Sequence, residues 1–151
     1  MKITAKQIKS LRDETKAGIM DVKEALEEAK GNEKKALVVL KKKGLEKVKK
    51  RAGKEVSVGQ VFAYIHSGGQ VGAIVILLSE TDFVSRSDEF AKLGKELAMQ
   101  IASMAPKNLK ELLAQTYIRD PKKKIDDLII EYSAKFKEKI AVRAFERFSV
   151  K

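Results

Sequence analysis

The chain has 151 residues and a mass of 16.9 kDa, the size of one domain or of a domain with a small module. With 44% hydrophobic and 35% charged residues it reads as a folded globular protein; no cysteine and one histidine, His66, exclude disulfides, thiolate metal sites and any two-histidine metal site. Lys and Arg outnumber Asp and Glu by 32 to 21, and the excess is concentrated early: residues 1–55 hold 17 basic and 9 acidic side chains, which points to an acidic or polyanionic partner.

The first elements read as short helices. Thr4 and Gln7 have capping-box spacing, with Ile3 and Ile8 at the flanking staple positions, and Ile8 and Leu11 begin an apolar face. Ala17-Gly18 interrupts it. Ile19, Val22, Leu26 and Ala29 recur at helical spacing, and Gly31 is a natural helix end. Asn32 caps a third helix carrying Ala36, Leu37, Val39 and Leu40, which is expected to close at Gly44. Three helices with short turns predict a compact bundle. Leu45 to Lys54 reads as a basic helical linker.

Near Val56 the composition changes. Val56 to His66 is rich in β-branched and aromatic residues, Ser67-Gly68-Gly69 is a turn, and Val71 to Ser79 follows as a second strand, so the segment predicts a hairpin. In the second strand Val71, Ala73, Val75 and Leu77 line one face, and Gly72, Ile74, Ile76 and Leu78 line the other. Both are apolar and both need cover. Glu80 to Val84 leads into a helix capped by Ser87 or Ser85, with Phe90, Leu93, Leu97, Ile101 and Met104 at steps of three and four and Pro106 as its end. A short helix is expected over Leu109 to Ala114. Asp120-Pro121 has the form of an N-cap followed by proline at the first helical position, opening a helix with Ile125, Leu128, Ile129, Tyr132 and Phe136 on one face. Ile140 to Val150 alternates and predicts a third strand. The fold class is therefore α+β: a three-helix module, then a three-stranded antiparallel sheet packed with helices. The expected boundaries are 1–53 for the helical module with its linker and 54–151 for the core.

No catalytic constellation emerges. Gly68-Gly69 lacks the third glycine and the strand-to-helix context of a phosphate-binding loop. His66 fits a hydrogen-bonding turn residue. The longest apolar run, Val71 to Leu78, is too short to span a bilayer, and the opening Met1-Lys2-Ile3-Thr4 has no signal-peptide core, so a cytoplasmic location is expected. The basic runs Lys41-Lys42-Lys43, Lys47, Lys49-Lys50-Arg51 and Lys122-Lys123-Lys124 are read as solvated helix faces or as a nucleic-acid surface. No aromatic residue lies in 1–55 for bases to stack on, so the second reading is weak. Phe83, beside Asp82 at a strand-to-helix corner, belongs to neither apolar stripe. Periodicity leaves two readings open, a core plug and an exposed aromatic anchor for a partner.

Five segments carry a family resemblance. Leu11 to Leu26 resembles the N-terminal signature of bacterial elongation factor Ts, Tyr64 to Gly72 its hairpin, Glu80-Thr81-Asp82-Phe83-Val84-Ser85-Arg86 its central motif, and Phe90 to Pro106 the helix that follows. Asp120-Pro121 and Val142 to Phe148 match its end. The chain looks like a short form with one core subdomain. It departs from the family pattern at Lys16, where glycine is usual, at Val22, where cysteine is usual, and at Ile76 and Leu78, which are commonly polar.

The resemblance implies a ubiquitin-associated-like three-helix head and an α+β core. It also implies a function: guanine-nucleotide exchange on the GTPase elongation factor Tu, with no enzymatic step, no cofactor and no metal of its own. The family's aspartate–phenylalanine pair, which inserts into the GTPase domain, maps onto Asp82 and Phe83, with Thr81 and Val84 shaping the corner. The contact of the N-terminal module near the nucleotide pocket maps onto Arg12, Ile19, Met20 and Lys23. No membrane and no specific nucleic acid is implied. Apart from the resemblance, the apolar sheet face of Ile74, Ile76 and Leu78 leaves two covers open: a homodimer through that face, which is preferred, and Leu45 to Lys54 or the segment after Met104 folding over it within one chain. The rival, from net charge alone, is an RNA-binding or ribosome-associated protein.

Overall fold

A computed structural model describes residues 2–151. It divides into two units: 1–53 with 130–137, and 54–129 with 138–151.

In the first unit, α1 (Ala5–Thr15) opens on the capping box, with Gln7 N–H donating to Thr4 Oγ1 at 3.2 Å and Thr4 N–H to Gln7 Oε1 at 3.1 Å. It ends at Lys16, which takes a left-handed conformation (φ 57°) and donates its N–H to the Arg12 carbonyl. That geometry is the one glycine adopts without strain, which gives the family's usual glycine a physical reason. Next come α2 (Ile19–Glu28) and α3 (Glu33–Lys50), the latter capped by Asn32 Oδ1 accepting from Lys35 N–H at 3.0 Å. Leu11, Val22, Ala25, Leu26, Ala29, Ala36 and Leu40 form the core of this unit. Val22 is fully buried, an environment that suits cysteine and valine alike.

The third helix does not stop at Gly44. It runs on through Leu45 to Lys50, so the expected linker is its last two turns. A single internal glycine costs about 1 kcal/mol, and the surrounding Lys, Leu and Glu residues are good helix formers that outweigh it. Cross-links from α3 to α2 hold it, Lys43 to Glu24 at 3.0 Å and Lys47 to Asp21 at 2.8 Å. Lys47, Lys49 and Lys50 also sit in its last turn, where cations complement the helix dipole.

The second unit is built on a three-stranded antiparallel sheet in the order β1-β2-β3, with β1 (Val58–Ile65), β2 (Val71–Ser79) and β3 (Ala141–Ser149). The hairpin turns at His66–Gly69: Gly69 N–H donates to the His66 carbonyl, and Gly68 supplies the positive φ of 90°. Ala73, Val75 and Leu77 of β2 are buried, with Phe62 of β1 on the same side. Against this face packs α5 (Asp88–Met104). The ring centroids of Phe62 and Phe90 are 5.9 Å apart. Gly94 is fully buried over the Phe62 ring: a Cβ there would lie 2.0 Å from a ring carbon. The opposite face is open. Val61, Ile65, Ile74 and Phe148 are exposed on it, with Ile76 and Leu78 half-buried. Between Ile76 and Leu77 the β2–β3 register shifts, leaving Arg143 as the extra residue of a bulge.

Two short helices precede and follow α5. The first, α4 (Asp82–Ser85), is a single turn that periodicity does not reveal. The other, α6 (Leu109–Ala114), is capped by Asn108. The last helix, α7 (Ile125–Phe136), starts later than the Asp120-Pro121 pair suggests. Asp120 instead heads a turn: its Oδ1 accepts from Lys122 N–H at 3.1 Å, and its carbonyl accepts from Lys123 N–H. Proline's fixed φ suits the second position of a turn as well as the first turn of a helix, so the pair fits either. The neighbouring bridge between Thr116 and Lys124 selects the turn.

Candidate functional site

The corner between β2 and α5 is an exposed feature held by several hydrogen bonds. Thr81 is the N-cap of α4, its Oγ1 accepting from Val84 N–H at 3.4 Å. The turn is pinned at its other end: Gln60 Nε2 donates to the Ser85 carbonyl at 2.7 Å, and Ser85 Oγ to the Asp82 carbonyl at 3.1 Å. Ser87 then caps α5, accepting from Phe90 N–H, while its hydroxyl donates to the Val84 carbonyl at 2.7 Å. Val84 is buried and plugs the corner into the core, so it holds the turn in place rather than facing outward. Phe83, one residue earlier on a helical turn, points the other way and is 89% exposed. Asp82 and Thr81 are exposed beside it.

A phenylalanine this exposed forgoes the burial that normally places it, roughly 1.5–3 kcal/mol for a side chain of its class. Backbone and side-chain hydrogen bonds fix its pedestal. The chemistry available is therefore that of a preformed apolar knob beside a carboxylate. Among the described residues no group of three His, Asp or Glu side chains is arranged to hold a metal ion.

In the helical unit, Ile19 and Met20 begin α2 and are 52% and 65% exposed. Arg12 lies in the last turn of α1 and is exposed. Lys23 is one turn into α2, 4.0 Å from Glu27. Along the chain the four therefore run from the last turn of α1 to the middle of α2. Of the basic runs, Lys43 and Lys47 are already committed to acids of α2.

Sequence reasoning passed over the residues that hold the corner, above all Glu138. Its carboxylate accepts from both the N–H and the hydroxyl of Thr81, 57 positions away in the chain. No periodicity or local motif carries a contact of that separation.

The family model for elongation factor TS matches residues 80–151, the part of the chain that contains this corner. Over its whole length the chain is similar to curated proteins named elongation factor Ts. It is 36% identical to that of Syntrophobacter fumaroxidans, covering 99% of this chain and 98% of the relative. It is 38% identical to that of Leptospira biflexa, with the same coverage, and 38% identical to that of a Thermoanaerobacter strain, covering 97% and 94%.

Proposed function

The chain belongs to the elongation factor Ts family, and on that premise we propose that it is a guanine-nucleotide exchange factor for the GTPase elongation factor Tu, acting in translation elongation. The observation that carries the mechanism is Phe83, held 89% exposed on a hydrogen-bonded turn with Asp82 beside it. An exchange factor breaks no covalent bond. It stabilises a nucleotide-poor conformation of its partner, so factor and GDP weaken each other's binding by the same factor. GDP is held by amide donors and magnesium around its phosphates, in charge-assisted contacts that are sensitive to small displacements. The Asp82–Phe83 corner enters the GTPase domain and displaces those elements; Thr81 and Val84 give the corner its shape. Arg12, Ile19, Met20 and Lys23 form a second contact, through which the helical unit docks near the nucleotide pocket.

Release of a fluorescent GDP analogue from purified elongation factor Tu, with and without the chain, tests the reading. Acceleration at catalytic amounts of the chain is expected, and an unchanged rate would refute it. The dependence on salt is expected to be shallow. A steep fall with log salt is the behaviour of a phosphate-backbone binder and would favour the RNA reading.

The proposal extends to self-association. Ile74, Ile76 and Leu78, with Val61, Ile65 and Phe148, make an apolar sheet face that solvent reaches. A second copy covers such a face by self-complementary packing, sheet on sheet.

A further inference from the structure

Glu138 follows the left-handed residue Lys137 (φ 57°) that ends α7, and it precedes β3. Both of its carboxylate oxygens reach Thr81. Oε1 accepts from the Thr81 N–H at 2.9 Å, and Oε2 accepts from the Thr81 hydroxyl at 2.7 Å. The second bond does more than tether. With its proton directed to Glu138, the Thr81 oxygen turns a lone pair to Val84 N–H, the bond that caps α4. The neighbouring residues repeat the link in reverse: the Glu80 carboxylate accepts from the Lys139 N–H. Two adjacent residues of one segment and two of the other are thus cross-tied, each segment supplying one acid.

Phe83 has almost no surroundings to set its direction. Its pedestal must do so, and the pedestal's first residue is held by Glu138. Resting on the exchange reading above, we infer that Glu138 is a positioning residue for nucleotide exchange: its carboxylate orients Thr81, and through Thr81 the direction in which α4 presents Asp82 and Phe83. Displacements of about 1 Å in a positioned group can lower a rate by about a hundredfold, so a hydrogen-bond pair at the base of a wedge is a sensitive place to act.

The test uses the full chain, purified elongation factor Tu and release of a fluorescent GDP analogue at saturating factor. Four variants are compared: Glu138→Ala, Glu138→Gln, Phe83→Ala and the double Glu138→Ala/Phe83→Ala. Glu138→Ala is expected to slow release by about ten- to a hundredfold. Glu138→Gln keeps one acceptor but turns an NH₂ toward a donor, so it is expected to lie between wild type and alanine. The double variant is expected to lose much less than the product of the two single effects, because with the Phe83 ring gone most of what Glu138 positions is already lost. Wild-type release by Glu138→Ala, or a double variant that loses the product of the two single effects, overturns the inference. Should Glu138→Ala not fold, the same comparison is made with Glu138→Gln alone and on the Phe83→Ala background. Normal release by Phe83→Ala is a different failure: it removes the wedge reading itself.

Discussion

Phe83 and Lys16 stand in unfavourable settings, each for a different reason. Phe83 keeps an apolar ring in water, and replacing it with alanine removes little that folding depends on. Phe83→Ala is expected to melt close to wild type, within about 0.5 kcal/mol of stability, as surface substitutions usually do. Its exchange activity should fall by about thirtyfold, the loss of roughly 2 kcal/mol typical of an aromatic hot spot. Melting and GDP release on one preparation check both halves; a badly destabilised variant would mean that the ring is needed by the core. Lys16 carries backbone strain instead. A non-glycine residue at φ 57° sits in the left-handed region where Cβ crowds the following carbonyl. Lys16→Gly is expected to raise stability by about 1 kcal/mol, visible as a higher melting temperature.

At the scale of elements, two glycines inside helices make opposite predictions. Gly44 lies mid-helix in α3 with ordinary space around it, the nearest atom to an added Cβ being Ile130 Cγ2 at 3.8 Å. Gly44→Ala should stabilise by about 1 kcal/mol through helix propensity. Gly94 gains the same propensity on α5 but has the Phe62 ring where a methyl would go. The ring is wedged between β1 and Phe90 and cannot swing aside cheaply, so Gly94→Ala should destabilise by about 1–3 kcal/mol. Denaturant melts of the two variants decide. These elements also mark how far the chain could be read before folding. The caps at Thr4, Asn32 and Ser87, the hairpin at Gly68 and the stripe from Phe90 to Ile101 are local patterns, and the structure has them. Gly44 and Asp120-Pro121 misled because each signal fits two local structures: the helix formers and α3–α2 ion pairs around Gly44, and the Thr116–Lys124 bridge beside Asp120-Pro121, choose between them. The exposure of Phe83 depends on which way a four-residue turn faces, and its support by Glu138 on chain closure; neither has a periodic trace.

At the scale of the molecule, the open sheet face predicts concentration-dependent size. Sedimentation at micromolar concentration should give a species near twice 16.9 kDa, and Val61→Lys, exposed on the edge strand β1 beside Ile76 of the same face, should return it to a single chain. A wild-type chain that sediments as a monomer would end that reading. Removal of residues 1–53 leaves 130–137 without the unit to which they belong. Hydrogen exchange across the last two turns of α7 should then accelerate, while the strands keep their protection.

The discontinuity of the helical unit also orders events during synthesis. Its first three helices leave the ribosome long before residues 130–137 are made, a gap of roughly 85 residues or about 4–17 s at 5–20 residues per second. The central strand β2 likewise waits for β3, the last strand to emerge, to cover its second edge. The nascent chain therefore carries an unpaired strand edge and an incomplete helical unit at the same time, and both are closed once residues 130–149 have been made. A stop codon in place of Ile125 should consequently yield a chain that aggregates or is degraded, whereas the full chain accumulates as a folded protein.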